Sequence, residues 1–170
     1  LEGADDPGAP VNLLALTDRQ AVLADIVAWA VLGTVIGYLG HRLPDRRLAR
    51  DRGPLRLRAF EHSGTWYERR LGIKRWKDRM PEAGTGFGGG VSKRRLGGHR
   101  PEDLAAFAVE TRRAEVVHGG LLLSLPLFVL WNPWPLVAVM ALYAALANGP
   151  CLLVQRYNRA RVAAVLARVT

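Results

Sequence analysis

The residues best suited to chemistry form one short run, Glu110–His118 (ETRRAEVVH), which leads directly into the apolar segment Gly119–Leu130. Residues three and four apart are neighbours on a helix, so Thr111, Glu115 and His118 share one face. An imidazole can take up a proton near neutral pH, and a carboxylate beside it can orient the ring. Ionisable groups are costly to bury at a membrane boundary, so this face is a candidate functional site. The alternative is a helix with solvated charges at its entry to the membrane.

The spacing of residues in the same run is also compatible with a metal site. Glu115 and His118 have the Glu-x-x-His spacing that inward-facing helices use in di-metal carboxylate proteins. Glu110, Glu61 and His62 are able to complete such a ligand set. A site of that type normally contains a second pair with this spacing, and the sequence has none. We therefore expect no resident metal, and a metal-dependent enzyme that uses Glu110, Glu115 and His118 is kept as an alternative.

A second group of polar residues lies near the end of the sequence. Asn148 falls inside an apolar run, and Gln155–Arg161 (QRYNRAR) follows that run. Asn148, Gln155 and Arg159 share a helical face, although a bend is expected at Pro150. An intramembrane amide faces a partner helix or a polar cavity. Asn148 therefore either contacts substrate or hydrogen-bonds the neighbouring helix, and the sequence leaves both open.

The segment Pro81–Lys93 (PEAGTGFGGGVSK) is a candidate phosphate-binding loop. Its glycines allow backbone N–H groups to approach a phosphate, and the cations at its end add charge. The spacing matches G-x-G-x-x-G, but no strand precedes it, and Ser92 precedes Lys93, so neither a dinucleotide-binding nor a Walker A loop fits. A connector over the membrane surface is an equal alternative. The candidate phosphate-binding residues are Gly84, Gly86, Gly89, Lys93 and Arg94.

Three apolar runs, Ala21–Leu39, Val116–Leu130 and Leu136–Val154, determine the predicted fold class. A helix needs about 20 apolar residues to cross a bilayer. The first and third runs meet this requirement, and the second gains length from the helix that precedes it. We predict an all-α integral membrane protein with three transmembrane helices. The last two form a hairpin through the turn Trp131–Pro135, where prolines end the helix and tryptophans suit the membrane interface.

The distribution of charge predicts the topology. Of the 24 Lys and Arg residues, 19 lie between His41 and Glu115, and none occurs in the turn Trp131–Pro135. The positive-inside rule then places the N-terminus outside and the C-terminus inside the cell. The acidic flank before the first run favours a retained anchor over a cleaved signal peptide. The predicted segments are an extracytoplasmic tail 1–20, a first span 21–39, a cytoplasmic interfacial segment 41–115 with a helix over 101–118, a transmembrane hairpin 116–154 and a cytoplasmic tail 155–170.

The net charge of +9 is explained by this topology and by attraction to anionic membrane lipids. Trp66, Tyr67 and Trp76 alternate with cations, as in a segment that lies on lipid headgroups. We therefore expect membrane lipids, and no nucleic acid, as partners. The single cysteine, Cys151, excludes a disulfide framework.

Several long motifs occur in an order that resembles one known family. They are WKDRMPEAGTGF from Trp76, ETRRAEVVH, NPW, Tyr143 and NGPCLLVQRYNRAR, and they extend from about Glu61 to Arg161. These motifs are similar to those of the glycosyl-4,4'-diaponeurosporenoate acyltransferase family. That family's named activity completes a bacterial carotenoid pathway by esterifying a fatty acyl chain onto the sugar of a glycosylated carotenoid acid. The resemblance implies an acyltransferase of the bacterial cell membrane with a glycosylated lipid or carotenoid as acceptor. It also implies an acyl thioester donor, on coenzyme A or acyl carrier protein.

Acyl transfer to a hydroxyl needs a base and donors that stabilise the tetrahedral oxyanion. We predict His118 as the base, oriented by Glu115 or Glu110, with Glu61 as a second candidate base. Ser63 and Ser92 lack a nucleophile-elbow context, so direct transfer is expected. The predicted substrate-binding residues are Glu61, Trp76, Lys77, Asp78, Arg112, Arg113, Asn148, Gln155, Arg156 and Asn158.

Two further points stay open at this level. Arg112 and Arg113 either bind a carboxylate or phosphate of the substrate or pair with glutamates of the protein. A non-catalytic subunit of a larger membrane enzyme is the remaining alternative to an enzyme. Three short spans also favour a homo-oligomer.

Overall fold

A computed structural model describes Leu14 and the two ranges 16–79 and 100–169. Within these ranges the chain forms helices, turns and connections, and it contains no strand. The candidate phosphate-binding residues Gly84, Gly86, Gly89, Lys93 and Arg94 lie outside the described residues, so that assignment stays a prediction.

The described residues contain five α-helices, joined by turns and short 3-10 helices. Three helical segments are long and apolar enough to cross a membrane: Asp18–Arg42, Pro101–Leu130 and Trp134–Arg168. The predicted all-α membrane protein with three transmembrane helices is confirmed, whereas the N-out, C-in orientation remains a prediction. The α-helices are α1 (Asp18–Arg42), α2 (Asp45–Leu48), α3 (Thr65–Leu71), α4 (Pro101–Leu123) and α5 (Trp134–Val169).

Helix α1 extends the predicted span 21–39 by about one turn at each end. It begins with a capping box, in which the Thr17 backbone N–H donates to Gln20 Oε1 at 2.9 Å. Leu43 has an extended backbone, as is usual for a residue before proline, and the helix therefore ends before Pro44. Most of the surface of α1 faces outward with apolar side chains, as suits contact with lipid.

Helix α4 joins the predicted interfacial helix 101–118 and the second span into one element. Pro101 occupies its first turn together with Glu102 and Asp103, which favours helix initiation. A 3-10 segment, Leu125–Leu130, follows α4, and α5 begins at Trp134. The hairpin turn thus lies within the predicted segment 131–135.

Helix α5 is 36 residues long and continues through Pro150 and through the predicted tail. At 1.5 Å per residue this corresponds to about 54 Å, compared with a hydrocarbon core of about 30 Å. Helix α5 is therefore long enough to extend beyond the hydrocarbon core at one end. Helix α5 packs along α4, and α1 packs on α4 as well.

Candidate functional site

A tight turn before α3 brings an acidic side chain onto α5. Ser63 and Gly64 both have positive φ values, of 61° and 76°. A Cβ on Gly64 would lie 3.0 Å from Arg161 Cδ and 3.1 Å from Tyr157 Cδ2, so the turn needs glycine for both backbone and space. The turn directs Glu61 into the protein, where it is 1% exposed.

Four side chains form a group that we call the arginine–carboxylate cluster. Its members are the buried Glu61, Glu115 and Arg159 and the half-buried Arg156. Arg156 donates to both oxygens of Glu61, from Nε to Oε1 at 2.7 Å and from Nη2 to Oε2 at 2.6 Å. Its Nη1 donates to Glu115 Oε2 at 3.0 Å. The cluster therefore joins the turn before α3 to α4 and α5.

Arg156 has no donor left for a substrate. Its Nη1 also donates to the Pro54 carbonyl at 3.3 Å, and its Nη2 to the Arg56 carbonyl at 3.0 Å. With the bonds to Glu61 and Glu115, all five N–H groups of the guanidinium are used. Arg156 thus links segments of the protein, and the substrate-binding role that the sequence assigned to it stays a prediction.

Arg159 is the most deeply buried cation of the cluster, at 1% exposure. It forms an ion pair with Glu115 (Nη1 to Oε1, 2.7 Å), and its Nη2 donates to the Leu55 carbonyl at 2.5 Å. Asp51 lies 3.5 Å from Nε. Buried charges are retained only where they are paired, and Glu115 supplies that pairing for Arg156 and Arg159 together.

The environment of Glu61 keeps it ionised. Burial alone would raise the pKa of Glu61, but hydrogen bonds from Arg156, Tyr67 and the Arg58 backbone outweigh it and lower the pKa to about 2. Burial and the bond to Glu61 raise the pKa of Tyr67, whose hydroxyl stays protonated and donates. A carboxylate with so low a pKa is a weak proton acceptor at neutral pH, which argues against Glu61 as the base.

His118 meets Asn148 across the α4–α5 interface. His118 Nδ1 lies 2.9 Å from Asn148 Oδ1, and Asn148 Nδ2 donates to the Ala144 carbonyl at 3.1 Å. Because the amide N–H₂ group is directed at a carbonyl, Oδ1 is the atom that faces the ring, and Nδ1 must carry the proton. In the neutral ring the other nitrogen, Nε2, then holds a lone pair and is able to accept a proton.

Glu115 does not provide the contact that orients His118. Both residues lie on the same face of α4, but the carboxylate is engaged by Arg156 and Arg159, whereas the ring is held by Asn148. Asn148 and Arg156 are eight residues apart, so their backbone positions are separated by about 12 Å along α5.

Arg113 and Glu110 hold α1 against α4. Arg113 Nη1 donates to the Gly40 and Leu43 carbonyls at 2.8 and 2.7 Å, which satisfies acceptors at the end of α1. Its ion pairs are with Asp45 at 2.5 Å and with Glu110 at 3.2 Å. Arg113 therefore pairs with protein carboxylates, which is one of the two roles that the sequence left open.

Arg112 has a similar structural role at the next part of the segment that follows α1. Its Nε donates to Asp51 at 2.6 Å and its Nη1 to the Leu48 carbonyl at 3.0 Å. Asp51 had no predicted role, yet it lies between Arg112 and Arg159 and links α4 to α5.

The remaining predicted substrate-binding residues lie in other surroundings. Trp76 packs against the core around Tyr67, and its indole donates to the Leu71 carbonyl at 3.0 Å. Lys77 and Asp78 form an ion pair of 2.5 Å with each other. Gln155 and Asn158 are half-buried on α5. Among the described residues, no partner accepts from the buried Nδ2 of Asn158.

A third polar group, which the sequence analysis missed, lies near the hairpin turn. Asp25 of α1 is 5% exposed, and its Oδ1 accepts from Trp131 Nε1 at 2.8 Å and from Asn132 Nδ2 at 2.6 Å. A carboxylate within an apolar run is itself a signal, because an intramembrane charge needs a partner. We call these three residues the Asp25 cluster.

The part of the chain that the structure describes contains no preassembled metal site. No three His, Cys, Asp or Glu side chains come together there in an arrangement that could hold an ion. Glu110, Glu115 and His118 instead face Arg113, Arg156 and Asn148 respectively.

The fold and the site define a class: a helical protein of three membrane-crossing segments, with a histidine–amide pair and buried ion pairs between its last two long helices. Residues 51–168 match the sequence model of the family described as glycosyl-4,4'-diaponeurosporenoate acyltransferase, and the chain belongs to this family. The resemblance inferred from the motifs is confirmed, and so is the prediction of an acyltransferase.

Named relatives agree with this membership. Proteins called glycosyl-4,4'-diaponeurosporenoate acyltransferase from Staphylococcus aureus strains MRSA252, USA300 and Newman are each 26% identical to the chain over 140 residues. The aligned region covers 81% of this chain and 83% of each relative. No solved structure matches the chain at a significant level.

Proposed function

We propose that this protein transfers a fatty acyl group from a thioester donor to a hydroxyl of a glycosylated lipid or carotenoid, with His118 as general base. The observation that carries the proposal is the contact between His118 Nδ1 and Asn148 Oδ1 at 2.9 Å. In the neutral ring, this contact supports the tautomer with the proton on Nδ1 and the lone pair on Nε2. The family membership supports acyl transfer as the reaction.

The reaction can be written with these groups in balance. His118 Nε2 takes the proton from the acceptor hydroxyl as that oxygen attacks the thioester carbonyl. The carbon–sulfur bond then breaks, and the imidazolium returns the proton to the leaving thiolate. The products are an ester and a free thiol, and no acyl-enzyme is required.

The arginine–carboxylate cluster serves this reaction by holding α4, α5 and the turn at Glu61 in one arrangement. His118 on α4 and Asn148 on α5 meet only if the two helices keep their relative position. The ion pairs from Glu115 to Arg156 and Arg159 fix that position from the basic end of the helices. By the positive-inside rule, this end faces the cytoplasm, where acyl thioesters are available.

The acceptor in this proposal is a lipid-like molecule with a sugar hydroxyl. The relatives' name specifies a glycosylated diaponeurosporenoate, which combines a sugar with a long apolar chain. Helices α1 and α5 expose apolar side chains such as Leu23 and Leu142, over which such a chain can remain in the bilayer. The sugar would then be presented to His118 near the boundary of the membrane.

The first test is substitution of the base. Purified His118→Ala in lipid nanodiscs should lose roughly 10²- to 10⁴-fold in turnover of an acyl thioester with a glycosylated lipid. His41→Ala is the matched control, because His41 is an exposed histidine at the end of α1. Turnover of His118→Ala close to the wild-type rate would contradict the assignment.

The same preparation tests the alternative of a non-catalytic subunit. Ester formation by the purified wild-type protein from defined substrates excludes that alternative. If product appears only after a second protein is added, the proposal of a self-sufficient enzyme fails.

A further inference from the structure

A groove with a basic lining lies beside the arginine–carboxylate cluster. It has a volume of about 270 Å³ and is lined by Arg56, Leu57, Arg58, Ala59 and His62. Its lining contains no carboxylate, and Arg56, Arg58 and His62 are exposed. The groove is therefore open to a soluble ligand and carries only positive or neutral groups.

The backbone of this groove is held from its inner side. The carbonyls of Pro54 and Arg56 accept hydrogen bonds from Arg156, and the carbonyl of Leu55 accepts one from Arg159. These carbonyl oxygens are thereby turned toward the cluster. Carbonyl oxygens that are directed inward do not repel an anion on the outer side of this segment.

The two groove arginines differ from the arginines of the interior. Arg112, Arg113 and Arg159 each pair with a carboxylate. In the ranges 16–79 and 100–169, by contrast, neither Arg56 nor Arg58 forms an ion pair with an acidic side chain. Guanidinium groups match the geometry of phosphate oxygens, and two of them on a fixed backbone make a suitable phosphate site.

We propose that the groove binds a phosphate ester through Arg56 and Arg58, and that this is the phosphate of the donor's pantetheine arm. The second part rests on the function proposed above. Coenzyme A and acyl carrier protein both present their thioester on such an arm, so one site serves either donor. Arg156, which contacts the Arg56 carbonyl, is eight residues from Asn148, a rise of about 12 Å along α5. An extended pantetheine arm is able to cover a separation of that order.

Equilibrium binding of coenzyme A to the detergent-purified full chain tests the site without turnover. The double variant Arg56→Gln, Arg58→Gln should raise the Kd by about tenfold or more, because two charge-assisted contacts are lost. Arg69→Gln, Arg70→Gln is the matched control: these arginines of α3 are exposed and lie outside the groove lining, so the Kd should change less than about twofold. His118→Ala should bind coenzyme A as the wild type does.

A second ligand separates the donor from a membrane source of phosphate. Phosphatidylglycerol in mixed micelles is titrated onto the same variants. If the groove variant loses phosphatidylglycerol affinity and keeps its affinity for coenzyme A, the site reads lipid headgroups and the donor assignment is overturned. If neither affinity changes relative to the control, the phosphate site itself is overturned.

Kinetics keep this proposal distinct from the proposed reaction. With acyl-coenzyme A as donor, the groove variant should show a raised KM and a kcat near that of the wild type. Normal KM in an active groove variant would refute the groove and leave the reaction standing. Loss of coenzyme A binding in that variant, together with no ester formed by the wild type, would support the groove and refute the reaction.

Discussion

At the scale of residues, the structure distinguishes side chains that keep a free donor or acceptor from side chains whose hydrogen-bonding groups are all used within the protein. The donors of Arg156 are all used by Glu61, Glu115 and backbone carbonyls, so its role is to hold segments together. His118 uses only Nδ1 in its contact with Asn148, and Nε2 is left for chemistry. The distinction follows from hydrogen-bond capacity, which residue type alone does not reveal.

Asn148 is the positioning residue for the proposed base. Asn148→Leu should lower kcat by roughly 10- to 100-fold, because the ring loses the partner that fixes its tautomer. Asn148→Asp should restore part of the rate and shift the pH–rate profile to higher pH, since a carboxylate stabilises the protonated ring. Equal rates and unchanged pH profiles in both variants would contradict a positioning role.

The low pKa of Glu61 predicts how stability depends on pH. Its carboxylate has a pKa of about 2 in the folded protein and an ordinary value of 4.5. Its stabilising contribution is therefore complete above about pH 4.5 and is lost as the pH falls toward 2, and it is on the order of 3 kcal/mol. Thermal unfolding between pH 6 and pH 3 should show this loss.

Glu61→Gln provides the comparison for that measurement. The variant should be less stable than the wild type at pH 6 and should show a shallower decline in acid. Glu102→Gln is the control, because Glu102 is exposed at the start of α4. If the decline in acid is as steep in Glu61→Gln as in the control, another group is responsible for it.

At the scale of elements, α1 is joined to α4 by close backbone approach and by arginine donors. A Cβ on Gly120 would lie 3.1 Å from Ile36 Cγ2, and one on Gly40 would overlap Val117. Arg113 then donates to the carbonyl of the same Gly40. Small residues at such a crossing allow helices to pack closely in a membrane.

Gly40→Ala tests this contact. It should destabilise the protein by about 1–3 kcal/mol, because the added methyl group collides with Val117. Gly33→Ala, in the same helix, should be neutral or stabilising by up to about 1 kcal/mol, since nothing lies near its Cβ position. Thermal unfolding in detergent distinguishes the two. Equal effects of the two substitutions would show that α1 does not pack closely at Gly40.

At the scale of the whole molecule, polar groups anchor the helices at both ends of the bundle. The arginine–carboxylate cluster joins α4, α5 and the connecting segment at the basic end. The Asp25 cluster joins α1 to the hairpin turn at the other end. Trp29 of α1 stacks on Phe128 at 4.7 Å between centroids and extends this second anchor. The arginine–carboxylate cluster and the Asp25 cluster thus hold the helices in a fixed relative position at the two ends of the bundle.

Asp25→Leu should weaken the anchor at the hairpin end. The indole of Trp131 and the amide of Asn132 would lose their acceptor, at a cost of about 1–3 kcal/mol. Asp18→Ala is the control, because Asp18 is exposed in the first turn of α1. The midpoint temperature of thermal unfolding should fall for Asp25→Leu and change little for the control. A stability equal to that of the wild type would show that Asp25 does not hold α1 to the turn.

The sequence by itself determined the fold class, the three membrane-crossing elements and the family. Each of these depends on length, apolar content or ordered motifs, which are properties of the chain read in order. Helical spacing also placed Glu115 and His118 on one face, and that face does meet α5.

Only the tertiary structure decided which partner each polar side chain has. Spacing on α4 favoured Glu115 as the partner of His118, yet the packing of α5 brought Asn148 to the ring and two arginines to the carboxylate. Asp51 entered the site from a connecting segment, and Tyr67 from the short helix α3, and neither has a long periodic pattern to predict its contacts. Side chains on one helix face share a direction, but their contacts depend on which residues the neighbouring segments place opposite them, and that is fixed only when the helices pack.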